Sequence, residues 1–217
     1  MAVVAEPPRI TRIEDIPAIE GGGVGYRFVR RALGVRAFGV NAFTAGAGEQ
    51  LIEEHDETGS GAGRHEELYV VIAGHARFTI DGGEQDAAAG TLVFVPDPES
   101  RRSAIAVSDG TMALVVGATP GEPYSVSPWE SWFVAKGLAD GGDLDAAADL
   151  MAEALAEHPG NPAVLYNAAC FESLAGRREA ALEHLAAAVE GEPKMRKWAA
   201  EDVDFDPIRD DPAFPQT

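Results

Sequence analysis

The chain changes grammar near residue 123, and this change constrains its fold more than any other feature. From residue 26 to residue 116, apolar stretches are five to eight residues long and are punctuated by glycine and aspartate. The expected strands are 26–33, 36–43, 50–54, 67–73, 76–80, 91–95, 102–107 and 112–116. Ala76-Arg77-Phe78-Thr79-Ile80 alternates apolar and polar residues, the period of a half-buried strand. Asp81-Gly82-Gly83 follows directly, and Asp-Gly tolerates the positive φ of a tight hairpin turn. Many short strands at this spacing predict a closed antiparallel barrel or sandwich. After Pro123 the chain becomes rich in Ala, Leu and Glu with a 3.6-residue apolar period. Ser127-Pro128-Trp129-Glu130 is a helix start, with a serine cap, proline at the first helical position and glutamate at the third. Asp143 after Gly142, and Asn161 before Pro162, open later helices by the same logic. The predicted class is therefore α+β in two domains. Residues 1–25 form an extended arm, 26–122 an antiparallel β-barrel, and 123–217 a helical domain with a C-terminal capping tail.

The charge balance excludes one class of partner. Seventeen basic side chains face 36 acidic ones, a net charge of −19. The excess is spread over both parts, −8 for residues 1–127 and −11 for 128–217. Each part repels a phosphate backbone, so direct nucleic-acid binding is not expected. A single cysteine, Cys170, precludes an intramolecular disulfide and fits a reducing compartment. The first residues lack a basic start and apolar core, and no apolar run reaches the roughly 18–20 residues of a membrane span. A cytoplasmic protein without membrane association is the expectation.

Two short motifs carry the chemistry. Glu67 precedes Gly74 in HEELYVVIAG, and Gly90 precedes Pro96 in GTLVFVP. With these spacings, residues 26–117 resemble a cupin domain, a double-stranded β-helix. That resemblance implies a metal held inside the barrel by a His-x-His pair, a glutamate and a later histidine. Here Glu67, Gly74, Gly90 and Pro96 match. The histidine pair would fall at Ser60/Ala62 or Gly61/Gly63, and the later histidine at Arg101. An arginine has no lone pair for a cation, so no cofactor is expected with the usual ligand set.

Two alternatives stay open. His55-Asp56-Glu57 and His65-Glu66-Glu67 each place two ligand types on one strand face. His55, Glu57, His65 and Glu67 would then form a rearranged site for a divalent Fe, Mn, Ni, Cu or Zn ion. Alternatively, Arg101 replaces the metal, making a forked ion pair with Glu67 or clamping an anionic ligand. Exposure of the Arg101–Arg102 pair is the bland reading. His75 is read as a surface residue. Tyr69, Phe78 and Phe94 complete the candidate ligand pocket, with Phe43, Val71 and Leu92 as further interior residues.

The C-terminal third repeats itself. Pro159 and Pro193 lie 34 residues apart, and Ala135/Ala169, Gly142/Gly176, Ala147/Ala181 and Ala154/Ala188 keep that spacing. Residues 128–193 resemble two tetratricopeptide repeats, which implies a helix–turn–helix array that docks a protein or peptide. Two repeats need a cap. The expected one is a helix at 194–200, with Phe205, Ile208 and Phe214 tucked behind it. Glu172 departs from the repeat pattern, standing where an aromatic or aliphatic residue is usual. Cys170 is read as a packed, inert thiol, and 21–25 as a flexible glycine hinge without the Lys-Ser/Thr of a phosphate loop.

These readings favour a non-catalytic cupin-type domain, binding a small molecule or serving for dimerisation, coupled to a tetratricopeptide protein-interaction module. A metal-dependent cupin enzyme of oxygenase or isomerase type is the alternative. The cupin resemblance also implies a homodimer.

Overall fold

The computed structural model describes residues 9–21 and 23–215. It divides into two compact units. One holds the described residues up to Glu57 together with Arg64–Tyr124; the other holds Thr58–Gly63 and the described residues from Ser125 onward. The segment Thr58–Gly63, which the sequence reading left inside the barrel, thus belongs with the helices. Within that unit the Trp129 N–H donates to the Gly61 carbonyl at 3.0 Å, and Asn161 Nδ2 donates to that of Ser60 at 2.9 Å.

The first unit is an antiparallel β-sandwich. Its strands are β1 (Ile19–Gly21), β2 (Val24–Arg27), β3 (Gly39–Ala45), β4 (Gln50–His55), β5 (Glu66–Ala73), β6 (His75–Ile80), β7 (Gly83–Ala88), β8 (Leu92–Val95), β9 (Arg102–Ala106) and β10 (Thr111–Ala118). Six of them form a sheet in the order β1-β2-β3-β10-β5-β8; the other sheet runs β4-β9-β6-β7. The two inner faces meet in one core, with Leu51, Tyr69, Val71, Phe78, Ala104, Ala106 and Ala113 fully buried and Phe43 packed against them.

Three local readings change. The predicted strand 26–33 splits after Arg27, and Val29–Leu33 is instead a short helix, α1. Arg, Ala and Leu favour helix, and Gly34 closes it in the left-handed region at φ 68°. Of the supposed glycine hinge at 21–25, Gly21 ends β1 and pairs with Val24, and Val24 and Gly25 belong to β2, while residue 22 lies outside the described residues. The 1–25 arm therefore already contributes to the sheet. Residues 83–88, which the expected strands left unassigned after the turn, form β7 through ladder pairing with β6. α1 and the turn at Ile13–Asp15 cover the far side of the larger sheet, where Ile16, Val29, Val40 and Ala42 make a second core.

Asp81 and Gly82 both take positive φ, 48° and 81°, in the two-residue turn between β6 and β7. Gly74 also needs to be glycine. Its φ is 71°, and a Cβ there would lie 2.6 Å from Thr111 Oγ1.

The second unit stacks α2 (Pro128–Asp140), α3 (Leu144–Glu157), α4 (Pro162–Leu174), α5 (Arg178–Gly191) and α6 (Met195–Glu201). The caps act as their residue types predict. Ser127 Oγ accepts from the Glu130 N–H, Asp143 from that of Ala146, and Asn161 from those of Ala163 and Val164. The repeat alanines are buried in both copies, and Gly142 and Gly176 take positive φ at equivalent turns. Phe205, Ile208 and Phe214 of the tail pack with Tyr166, Cys170, Leu185 and Met195 in one core. This tail supplies apolar surface that two repeats alone would leave open.

Candidate functional site

The site residues come from β4, β5 and β9, and strand register decides which of them meet. On β9, Ala104 and Ala106 face the sandwich core while Ile105 is exposed. Period-two alternation therefore turns Arg102 inward and Arg101 outward. This corrects the sequence reading, which counted from Pro96 to Arg101. The Arg101 side chain is exposed and pairs with Glu54 at 2.7 Å. Arg102 is 1% exposed. The signal for it was present in the small, alternating Arg102-x-Ala104-x-Ala106 pattern, which motif spacing overrode.

On β4 the register slips twice, between Gln50 and Ile52 and between Ile52 and His55, so that His55 stands opposite Arg102. Such bulges re-aim side chains. His55 is thereby carried beside β5, and Glu57 is buried just beyond the strand end.

The centre of the cluster is the Glu67 carboxylate. Its Oε2 accepts the Tyr69 hydroxyl at 2.5 Å, Arg102 Nη2 at 2.9 Å and Arg102 Nε at 3.1 Å. His55 Nε2 lies 3.6 Å from the same oxygen and 4.0 Å from Glu57 Oε1. His55 Nδ1 is 2.7 Å from the Glu53 carbonyl, which can only accept, so Nδ1 carries the proton and Nε2 faces the carboxylates. The other guanidinium nitrogen, Nη1, donates to the Ser100 and Pro98 carbonyls at 2.6 and 3.4 Å.

These contacts set the protonation states. Burial alone would raise the Glu67 pKa, but the nearby His55 ring, the Tyr69 hydrogen bond and the Arg102 charge hold it below the usual carboxylate value. Burial would lower that of His55, yet the Glu67 carboxylate beside it and its bond to the Glu53 carbonyl raise it. Burial, reinforced by the neighbouring Glu67 charge, pushes the Tyr69 hydroxyl well up.

His65 is near but apart. Its Nδ1 is 4.0 Å from Glu57 Oε2, its N–H donates to that oxygen at 3.4 Å, and its ring lies 5.5 Å from that of Tyr124. Phe78 is a core residue that meets the Tyr69 ring edge-on. Phe94 and Leu92 were expected inside and are not; they are 55% and 64% exposed. On edge strand β8 the inward positions are Val93 and Val95, which pack into the core. His75 stands partly exposed at 3.5 Å from Asp86.

The donor set was tested against the metal that the cupin resemblance implies. Among the described residues, donor atoms of His55, Glu57 and Glu67 lie within 4.8 Å of one another. That grouping does not fit a tightly held cation in this chain. The shared oxygen of Glu67 already takes three donors, and a permanent positive charge lies against it.

The family model for the tetratricopeptide repeat matches residues 138–200. A comparison with curated protein sequences returned no match. Among solved structures, the chain is similar to a cupin protein from Bacteroides fragilis, at 18% identity over 57% of this chain and 93% of that one, with a TM-score of 0.43. It is similar to KdgF from a Halomonas species at 12% identity, covering 52% of this chain and 93% of that one, with a TM-score of 0.43. A sugar phosphate isomerase of the cupin superfamily from Silicibacter pomeroyi is 22% identical, covering 48% and 70%, with a TM-score of 0.38. By its strand topology and its repeat match, the chain joins an antiparallel β-sandwich to a segment that matches the tetratricopeptide-repeat model.

Proposed function

We propose that the β-sandwich is a non-catalytic small-molecule-binding domain and that the helical unit is a docking module for a protein or peptide. The observation that carries this reading is the commitment of Glu67. The carboxylate that would complete a cupin metal site is bound on one oxygen by Tyr69 and twice by Arg102. A group so tied is a poor general base and a poor ligand.

A ligand is supported by a second feature. Asn41 stands opposite Val115, which stands opposite Tyr69, so the three share one row across β3, β10 and β5. Asn41 Oδ1 is buried and has no hydrogen-bond partner. An acceptor left in that state costs about 1–3 kcal/mol, which a donor on a ligand would recover. With Arg102 spent on Glu67, this interior suits a hydrogen-bond-donating molecule better than an anion.

The test is thermal denaturation of the full chain with neutral, cationic and anionic small molecules, beside elemental analysis of the purified protein. The expected result is no stoichiometric metal and a raised Tm with donor-rich, non-anionic compounds. One tightly held transition metal per chain would restore the enzyme reading with His55, Glu57, His65 and Glu67. For the homodimer, the supporting surface is edge strand β8, with Leu92 and Phe94 exposed beside Ile72 on β5. Leu92→Lys with Phe94→Lys is expected to halve the mass in light scattering; an unchanged mass rejects this surface.

A further inference from the structure

We infer that Arg102 is a built-in cation that holds a chelating site shut, so that removing its guanidinium lets His55, Glu57 and Glu67 take a divalent transition metal. The inference rests on the non-catalytic reading above and adds the residue that decides it. Its first support is the positions of the donors. One imidazole nitrogen and two carboxylates already converge within 4.8 Å, in a mixed nitrogen and oxygen set that suits zinc, cobalt, nickel or manganese. The imidazole is pre-oriented, because the bond from His55 Nδ1 to the Glu53 carbonyl points Nε2 at the carboxylates.

The second support is the charge. Arg102 is fully inside the sandwich, and both Nε and Nη2 address one oxygen of Glu67. A guanidinium cannot release its proton at any ordinary pH and offers no lone pair. It therefore neutralises Glu67 permanently and repels a second cation, doing electrostatically what an ion would do there. Within the cluster of His55, Glu57, Glu67, Tyr69 and Arg102, the guanidinium is the one arginine or lysine group. The nearby Arg101 is on the outer face, paired with Glu54.

The experiment uses the full chain in four forms: wild type, Arg102→Met, Arg102→His and Arg102→Lys. Each is stripped with chelator and titrated with Zn²⁺ by calorimetry and with Co²⁺ by visible absorption. Arg102→Met and Arg102→His are expected to bind one equivalent at least a hundredfold tighter than wild type, with a Tm that rises with Zn²⁺ concentration. Arg102→Lys keeps a positive charge and is expected to behave as wild type. Adding Glu67→Gln to Arg102→Met is expected to abolish the gain. A variant that unfolds without metal is expected to fold with Zn²⁺, and one that stays unfolded overturns the inference. So does a folded Arg102→Met with wild-type affinity, or an Arg102→Lys that binds as tightly as Arg102→Met. A wild type that itself holds one metal per chain defeats the non-catalytic reading instead, so the two failures are distinct.

Discussion

The two units each bury a carboxylate, and they neutralise it differently. In the sandwich, Glu67 is held by the phenol hydroxyl of Tyr69 on its own strand, β5, and by the Arg102 guanidinium from β9 of the other sheet. In the helical unit, Glu172 is 5% exposed and meets His184 Nδ1 at 2.8 Å, between α4 and α5. The first partner is a guanidinium that can only donate, whereas the second is an imidazole ring with two distinct nitrogens. The contrast teaches that buried charge in a sandwich is set by which strand positions face inward from the two sheets, and in a helix pair by which turns face each other. It also separates a cluster in which three polar side chains converge on one carboxylate oxygen from a single pair in a repeat scaffold.

The largest expected effect comes from breaking the sandwich pair. Glu67→Ala leaves Arg102 charged, buried and unpaired, and is expected to cost about 3–5 kcal/mol, read from urea unfolding followed by circular dichroism. A loss under about 1 kcal/mol would mean that solvent or another group reaches the guanidinium. The helical pair is expected to be weaker and more replaceable. His184→Ala is expected to cost about 1–3 kcal/mol by leaving Glu172 without its hydrogen bond. Glu172→Leu, which restores the aliphatic residue usual in the repeat, is expected to be near neutral or stabilising. If Glu172→Leu were as damaging as His184→Ala, the pair would be structural in the sense that Glu67–Arg102 is.

The smallest effect is in pH dependence, and it sharpens the comparison by locating it in the sandwich. The folded pKa of Glu67 is depressed, so its contribution is present above the ordinary carboxylate value, about 4.3, and is lost as pH falls through the folded value. The folded pKa of His55 is raised, so its contribution is complete below the ordinary imidazole value, about 6.5, and is lost as pH rises through the folded value. Both are present between those limits. Urea midpoints measured across pH 3–8 are expected to fall on the alkaline side less in His55→Ala than in wild type. Equal alkaline slopes would remove His55 from the network.

Much of the fold was legible because its signals are local. The serine, aspartate and asparagine caps, the Asp81-Gly82 turn and the 34-residue alanine and glycine register act over one helical turn or one hairpin. Half of the candidate site was also legible. His55 and Glu57, and likewise Glu67 and Tyr69, are two residues apart in the chain, and ligand chemistry suggested the first three. Arg102, Leu92 and Phe94 were misplaced because a one-residue change of register reverses every side chain on a strand. The bulges in β4 that bring His55 opposite Arg102 leave no mark in composition or periodicity.

By itself, then, the sequence determined where hydrogen bonding is short-range: the helices, their caps, the tight turn and the repeat. It also determined the glycine at 74, where φ is positive and no Cβ fits against Thr111. Tertiary structure decided the rest. It chose Arg102 over Arg101 as the inward cation, turned β8's aromatic side outward, made a helix of Val29–Leu33, and assigned Thr58–Gly63 to the helical unit. The physical reason is that sheet pairing joins residues far apart in the chain, and inward or outward is defined only once the partner strand is in place.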